Sequence, residues 1–380
     1  MNSEIDIDEK EIINSILKIE EIILTSSSSD VRIELFKLIL CKYYQNSIHE
    51  NVSELNDLNA LLLKAILKFP NIELEPQFSI DKILALECYK YLDNININSY
   101  SIIEHIFEFI STQNSKANKG QFFTPRYVIA ELIKPILPYA ANSIIADIAC
   151  GSGGFLASIA NNISENSKYF GFDFDPMAIL TANILSTVLG KKITYTKCDS
   201  LIQTNLLFEI SQITIENFMR LIIPKFSGFD LIITNPPFGG SITDKNILSG
   251  YTINKNKSAK RDILFIERCH QLLKVNGLLV IVLPSNIFSD VIFEYQRKWI
   301  LEHFDINTIL SLHRDTFLPH THQKTNVIYA NKKQIKSIDK QKAINFIISE
   351  SSGKDNKGRL LRSDNLINSD LSEAVKNISF

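Results

Sequence analysis

The chain has 380 residues, a formal net charge of -2, 45% hydrophobic residues and 22% charged residues. That composition suits a globular chain of roughly two to three domains, with enough apolar side chain for a sizeable core. It excludes a protein that grips nucleic acid by bulk positive charge, so any basic grip must be local or come from a partner. Five scattered cysteines, Cys41, Cys88, Cys150, Cys198 and Cys269, form no CxxC pair. They fit a reducing cytoplasm and argue against a disulfide framework or a zinc site. The acidic start, Met1 to Asp6, lacks the apolar stretch of a secretory signal. No apolar run approaches the ~20 residues that span a bilayer.

Residues 1–112 read as a helical domain. Apolar residues recur at helical spacing in Ile12-Ile13-Ile16-Leu17, Leu35-Leu38-Ile39 and Leu58-Leu61-Leu62. The serine run Ser26–Ser29 reads as a loop, and Asp30 as the N-cap of the next helix. Polar residues 113–119 make a linker. Gly120-Gln121-Phe122-Phe123-Thr124-Pro125 follows, and then a helix from Arg126 with Val128, Ile129, Leu132 and Ile133 on its apolar face. Two aromatics and a hydroxyl at a loop-to-helix junction suit one wall of a small-molecule pocket. The same pattern also suits a plain helix start with Thr124 as N-cap.

From Ser143 the pattern is α/β. The apolar run 143–149 reads as a strand, Cys150-Gly151-Ser152-Gly153-Gly154 as a glycine turn, and the next residues as a helix. Strand, glycine turn and helix form a nucleotide-pocket arrangement, although the spacing is not GxGxxG. Asp147 stands just before the turn, where a carboxylate can meet an ammonium group. Asp173 ends the next strand, near the roughly 20-residue offset at which an acid takes ribose hydroxyls. Helix 177–189 and strand 193–196 lead to Asp199, either an Asx cap or an acceptor for an adenine amine. Polar residues 241–261 carry Lys255, Lys257, Lys260 and Arg261 and read as a solvated mobile loop or as a lid over the site. An amphipathic helix over 262–273 is expected to end at the Asn276-Gly277 C-cap signal. Strand 278–283, helix 293–303, strands 308–312 and 325–330 and a strand at 344–348 follow. His313, His320 and His322 fit no metal template.

The most informative stretch is Asp230 to Gly240. Leu231-Ile232-Ile233 reads as a buried parallel strand, stopped by Asn235-Pro236-Pro237-Phe238 because two prolines cannot continue a ladder. An amide, a proline carbonyl and an aromatic ring thus stand at a strand's carboxyl end, where open α/β sheets bind ligands. That set suits methylation of an exocyclic amine. The Asn235 side-chain carbonyl and the Pro236 carbonyl can accept the two amine hydrogens and free a delocalised lone pair. Phe238 can stack on the base, a contact worth about 1–3 kcal/mol.

Together these stretches resemble the amino-group DNA methyltransferases, and among them the modification subunits of type I restriction-modification systems. The order of the motifs matches the γ ordering of adenine-N6 enzymes. The resemblance implies a Rossmann-like S-adenosylmethionine-dependent methyltransferase sheet with helices on both faces, preceded by the helical domain. It implies domains at 1–112, 113–335 (catalytic) and 336–380 (an extension that looks short). S-adenosylmethionine is the implied cofactor, with no metal. Phe122, Phe123 and Thr124 would line its methionine end, Asp147, Gly151 and Gly153 would hold the methionine moiety, Asp173 the ribose and Asp199 the adenine. Asn235, Pro236 and Phe238 would hold a flipped adenine of double-stranded DNA. About fifty residues follow Ala330 and no target-recognition domain is visible there, so a separate specificity subunit is expected, with a restriction subunit as a further partner. The alternatives are methylation of a protein glutamine or of guanine N2 in ribosomal RNA, whose enzymes also carry Asn-Pro-Pro-aromatic, and a non-catalytic cofactor-binding scaffold.

Overall fold

The computed structural model describes residues 4–26, 30–48, 57–93, 95, 97, 106, 124–163, 166–203, 213–334, 343–363, 366–378 and 380. They fall into two compact units. The first contains residues 1–113 with Leu180–Lys192, and the second contains Asn114–Ile179 with Ile193–Phe380. Among the described residues, no helix is long and apolar enough to cross a membrane.

The first unit is helical: α1 (Glu4–Ser26), α2 (Val31–Ile48), α3 (Leu58–Lys68) and α4 (Lys82–Tyr91). Ile12, Ile16, Ile19 and Ile23 form the buried stripe of α1, at the 4-3-4 spacing that one helical face requires. Carboxylates cap the next three helices: Asp30 accepts from the Arg32 N–H, Asp57 from those of Asn59 and Ala60, and Asp81 from that of Ile83. Glu34 and Lys37 are buried as an ion pair at 2.8 Å. Lys37 Nζ also donates to the Gln77 carbonyl at 2.6 Å, and the Ser79 N–H donates to Glu34 at 3.0 Å. Both charges are therefore satisfied, as burial demands.

The second unit is built on an eight-stranded sheet. Its strands are β1 (Ile144–Asp147), β2 (Lys168–Asp173), β3 (Ile193–Lys197), β4 (Phe229–Thr234), β7 (Leu273–Pro284), β8 (Phe304–Ser311), β9 (Thr325–Lys332) and β10 (Asn345–Ile348). Two short strands between them, β5 (Ser241–Ile242) and β6 (Ala259–Lys260), pair only with each other. The spatial order is β10-β8-β9-β7-β4-β1-β2-β3. All neighbours are parallel except β9, which runs antiparallel to both β7 and β8. The chain steps outward from β1 to β3 and then returns to β4 on the other side of β1. That reversal opens a crevice at the carboxyl ends of β1 and β4. The connecting helices are α5 (Arg126–Ile133, before β1), α6 (Gly154–Asn162), α7 (Pro176–Val188, which belongs to the first unit from Leu180 on), α8 (Ile215–Ile222), α9 (Arg261–Leu272) and α10 (Glu294–His303). Phe170, Phe172, Phe229, Ile232, Leu264, Leu279 and Ile281 share one core cluster. Strands β4 and β7 are near-continuously apolar because helices cover both faces of a parallel sheet.

Two local expectations change. Asn276-Gly277 does not cap α9. The helix ends at Leu272, and Leu273 turns extended to pair with Phe229. Residues 274–277 then loop out before pairing resumes at Leu278 with Leu231. Asn276 takes φ +63° in that bulge, and a Cβ on Gly277 would lie 2.9 Å from the Lys274 carbonyl. The turn signal is real, but it marks a bulge inside a strand.

The segment 241–261 is not an open loop. Its short hairpin and the helical turn Lys245–Ser249 place Tyr251 and Ile253 in the core. Glu267 of α9 accepts from the backbone N–H groups of Thr252 and Ile253, both at 2.7 Å. The Trp299 indole donates to the Thr252 hydroxyl at 2.9 Å. Buried partners on two helices hold the segment in place.

Candidate active site

The glycine turn after β1 has the geometry its residues require. Gly151 and Gly153 take φ of +51° and +82°, which disfavour any side chain. A Cβ on Gly154 would come within 2.8 Å of Arg126 and Ile129 of α5, so the absence of a side chain lets α5 and α6 approach closely. Asp147 ends β1 and is 1% exposed. It accepts the Ala149 N–H at 3.1 Å. Burial pushes its carboxyl up to about 7; the Thr234 hydroxyl and the Ala149 N–H pull it down, and the neighbouring Asp173 charge pushes it further up.

Asp173, at the end of β2, accepts the Gly151 N–H at 2.8 Å and the Asp175 N–H at 2.9 Å. It too is raised, chiefly by burial. Two buried carboxylates thus stand at adjacent strand ends, and a cation beside them would favour their charged forms. Asp199 follows β3 and accepts the Leu201 N–H at 3.0 Å, which closes an Asx turn.

That turn is fixed from below by groups that no motif marks. The buried Arg268 of α9 donates to the carbonyls of Ser200 at 2.6 Å and Ile202 at 3.1 Å. Its guanidinium is paired with Glu216 at 2.6 Å. The Tyr251 hydroxyl donates to the Leu201 carbonyl at 2.7 Å, and the Ser200 hydroxyl to the Ile148 carbonyl at 2.6 Å. The one available sequence signal is a cation amid the apolar run of α9, which needs partners if it is buried.

Across the crevice, Asn235 follows β4. Its Nδ2 donates to the Thr124 hydroxyl at 2.9 Å, joining residues 111 apart in the chain. Thr124 is therefore not an N-cap: Pro125 holds that position in α5 and no side chain caps the helix. In this arrangement Oδ1 is left as the acceptor end of the amide. Pro236 is buried and Phe238 half-buried. The Phe238 ring meets Phe317 edge to face, with centroids 5.9 Å apart. Phe317 lies in the connection between β8 and β9 and is 1% exposed. Asp230, at the other end of β4, accepts from the Ile144 N–H and pairs with Lys274 at 2.7 Å, so it anchors the strand. Phe122 and Phe123 lie outside the described residues.

His313 and His322 both face Asp315, at 3.8 and 3.5 Å. Among the described residues, no His, Cys, Asp or Glu cluster is arranged to hold a metal. All five cysteines are buried as free thiols, and burial raises every one of them.

A sheet in this order is Rossmann-like, and the fold resembles that of a class I S-adenosylmethionine-dependent methyltransferase structure from Listeria monocytogenes (TM-score 0.57, 18% identity, 83% of this chain and 93% of that one). Residues 98–376 match the N-6 DNA Methylase family model, and the chain belongs to that family. It is 28% identical over 254 residues to the type I restriction enzyme EcoEI methylase subunit of Escherichia coli, covering 64% of this chain and 49% of that one. The chain thus spans about half the length of the curated relatives it matches. Its fold resembles the methyltransferase subunit of a type I restriction-modification system from Streptococcus thermophilus (TM-score 0.67, 16% identity, 97% of this chain and 92% of that one). It also resembles a modification subunit from Vibrio vulnificus YJ016 (TM-score 0.64, 18% identity, 93% and 85%).

Proposed function

We propose that the protein methylates N6 of an adenine turned out of double-stranded DNA, as the modification subunit of a type I restriction-modification system. The observation that carries this reading is Asn235, held by Thr124 at the carboxyl end of β4, across the switch point from the buried Asp147.

The pocket chemistry fits S-adenosylmethionine. Asp147, Gly151 and Gly153 would hold its methionine moiety, Asp173 its ribose and Asp199 its adenine, with Phe122, Phe123 and Thr124 beside the methionine end. Asp147 and Asp173 are pushed up chiefly by burial, Asp147 further by the Asp173 charge and Asp173 by that of Asp175, so a cofactor bearing an ammonium group would stabilise both as anions. Bound there, the cofactor supplies an electrophilic methyl group.

This chain's residues act on the acceptor. Asn235 Oδ1 and the Pro236 carbonyl accept the two N6 hydrogens, draw the nitrogen towards tetrahedral geometry and localise its lone pair. Phe238 stacks on the base. A stacked adenine cannot reach a pocket at a sheet edge, so the base must be flipped, at a cost of a few kcal/mol. Most of the acceleration then comes from position. The released amine proton is acidic enough to leave to water, so no strong general base is required.

The net charge of -2 supports a reading in which a separate specificity subunit supplies grip and sequence choice; a restriction subunit is the further expected partner. The test is transfer of tritiated methyl to unmodified genomic DNA, RNA or protein, with and without the specificity subunit. Label in DNA that depends on the partner is expected. Label in RNA or protein would replace the reading with the ribosomal or glutamine alternative. Cofactor binding with no transfer to any of them would leave a scaffold.

A further inference from the structure

The segment beyond β10 reaches back to the target side of the crevice. Ser352 to Leu360 forms a tight hairpin: Lys354 bridges to Leu360, and the Asp355 carboxylate accepts the backbone N–H groups of Lys357 and Arg359 at 2.9 and 2.8 Å. Gly358 lies so close to the Leu318-Pro319 backbone that a Cβ there would sit 2.7 Å from the Pro319 nitrogen. From this hairpin, Lys354 Nζ donates to the carbonyls of Thr316 at 2.9 Å and Leu318 at 2.7 Å.

Those two carbonyls flank Phe317, whose ring braces Phe238. The same ammonium lies 5.7 Å from the centre of the Tyr127 ring, and the Tyr127 hydroxyl donates to the Ser352 carbonyl at 2.8 Å. Tyr127 stands in the first turn of α5, three residues after the Thr124 that holds Asn235. One cation thus ties together the hairpin, the loop behind the stacking ring and the helix behind the amide.

We propose that Lys354 is a positioning residue for the target base. It fixes the Phe317 loop, and through it the Phe238 ring, so that the aromatic wall and the Asn235 amide hold one orientation to each other. The inference rests on the DNA-methylating reading and deepens it, giving the region after β10 a part in the base pocket. The physical basis is geometric: an ammonium bonded to the carbonyls on either side of Phe317 restricts the residue between them, and charge-assisted bonds of this kind are about twice as strong as neutral ones.

The test compares wild type, K354M, K354R and F317L in complex with the specificity subunit. The DNA carries 2-aminopurine at the target adenine, and stacking on an aromatic ring quenches its emission. Wild-type methylation of unmodified DNA and the cofactor Kd are measured in parallel. We expect K354M to keep the wild-type cofactor Kd, to raise the emission to that of F317L and to lower kcat/KM for DNA about tenfold. K354R, which can donate to both carbonyls, should recover most of that loss. Wild-type emission and kcat/KM in K354M would overturn the proposal. So would a fall in Tm and cofactor affinity together in K354M and K354R, since the lysine would then be a general structural residue. A wild-type complex that methylates no DNA would instead bring down the functional reading, and this inference with it.

Discussion

The two sides of the crevice are built in opposite ways. The β1–β3 side is polar and local in sequence. Asp147, Asp173 and Asp199 stand at successive strand ends, and each accepts an N–H from a residue two further on. The β4–β9 side is aromatic and long-range. Asn235 needs Thr124, and Phe238 meets Phe317, which depends on Lys354. On the proposed reading, the difference follows from what each side would hold. A cofactor bearing charges and hydroxyls is recognised by fixed acceptors, which short turns can supply. A flipped base offers a flat face and one amine, and gripping it takes rings and carbonyls brought together from several loops.

Substitutions can break this comparison. The largest effect is expected for N235A. Removing a preorganised polar group at the reacting centre costs on the order of 100- to 1,000-fold in rate. Single-turnover methylation should fall by that much while the cofactor Kd, measured by calorimetry, stays unchanged. D147N should do the reverse. Losing a charge-assisted contact to the cofactor's ammonium costs about 1.5–3 kcal/mol, which would appear as a rise of roughly 10- to 100-fold in Kd.

The wild-type pH profile sharpens that second point. With Asp147 at about 7 in the free protein, protons compete with the ammonium. Cofactor affinity should therefore weaken as pH falls below about 7, and this slope should vanish in D147N. A flat wild-type profile would remove Asp147 from the cofactor site.

A smaller effect is expected at Thr124. T124V strips Asn235 Nδ2 of its acceptor and should lower kcat about tenfold, since an unmet buried polar group costs about 1–3 kcal/mol. T124S should keep most of the rate, and equal losses in both variants would argue against the hydroxyl.

The smallest effect concerns stability. Burial among Trp299, His303 and Phe304 pushes His270 down to about 3 from its ordinary 6.5, and it folds neutral. The unfolded chain takes up that proton first, so this group's contribution is fully present above pH 6.5 and is lost as pH falls towards 3. Urea midpoints should drop between pH 7.5 and 5 more steeply in wild type than in H270F.

Legibility divides along the same line. Strand ends with acids, the glycine turn and Asn235–Phe238 could be read because alternation, glycine and proline act locally. The Asn276-Gly277 turn was visible as a turn, but whether it closed a helix or a bulge depended on Phe229, far away in the chain. Segment 241–261 reads as a solvated loop or as a lid because its anchors, Glu267 and Trp299, lie on later helices. Lys354 is invisible for the same reason, and Arg268 shows only as a cation amid apolar residues: the carbonyls both bond carry no residue type, and Glu216 lies 52 residues from Arg268 in the chain.

The most direct test of the account is nucleoside analysis of unmodified DNA after incubation with the complex and methyl-labelled cofactor, for wild type and N235A. The account predicts label in N6-methyladenine for wild type, and none above background for N235A although its cofactor Kd is that of wild type. Label in N4-methylcytosine, or undiminished N6-methyladenine from N235A, would contradict it.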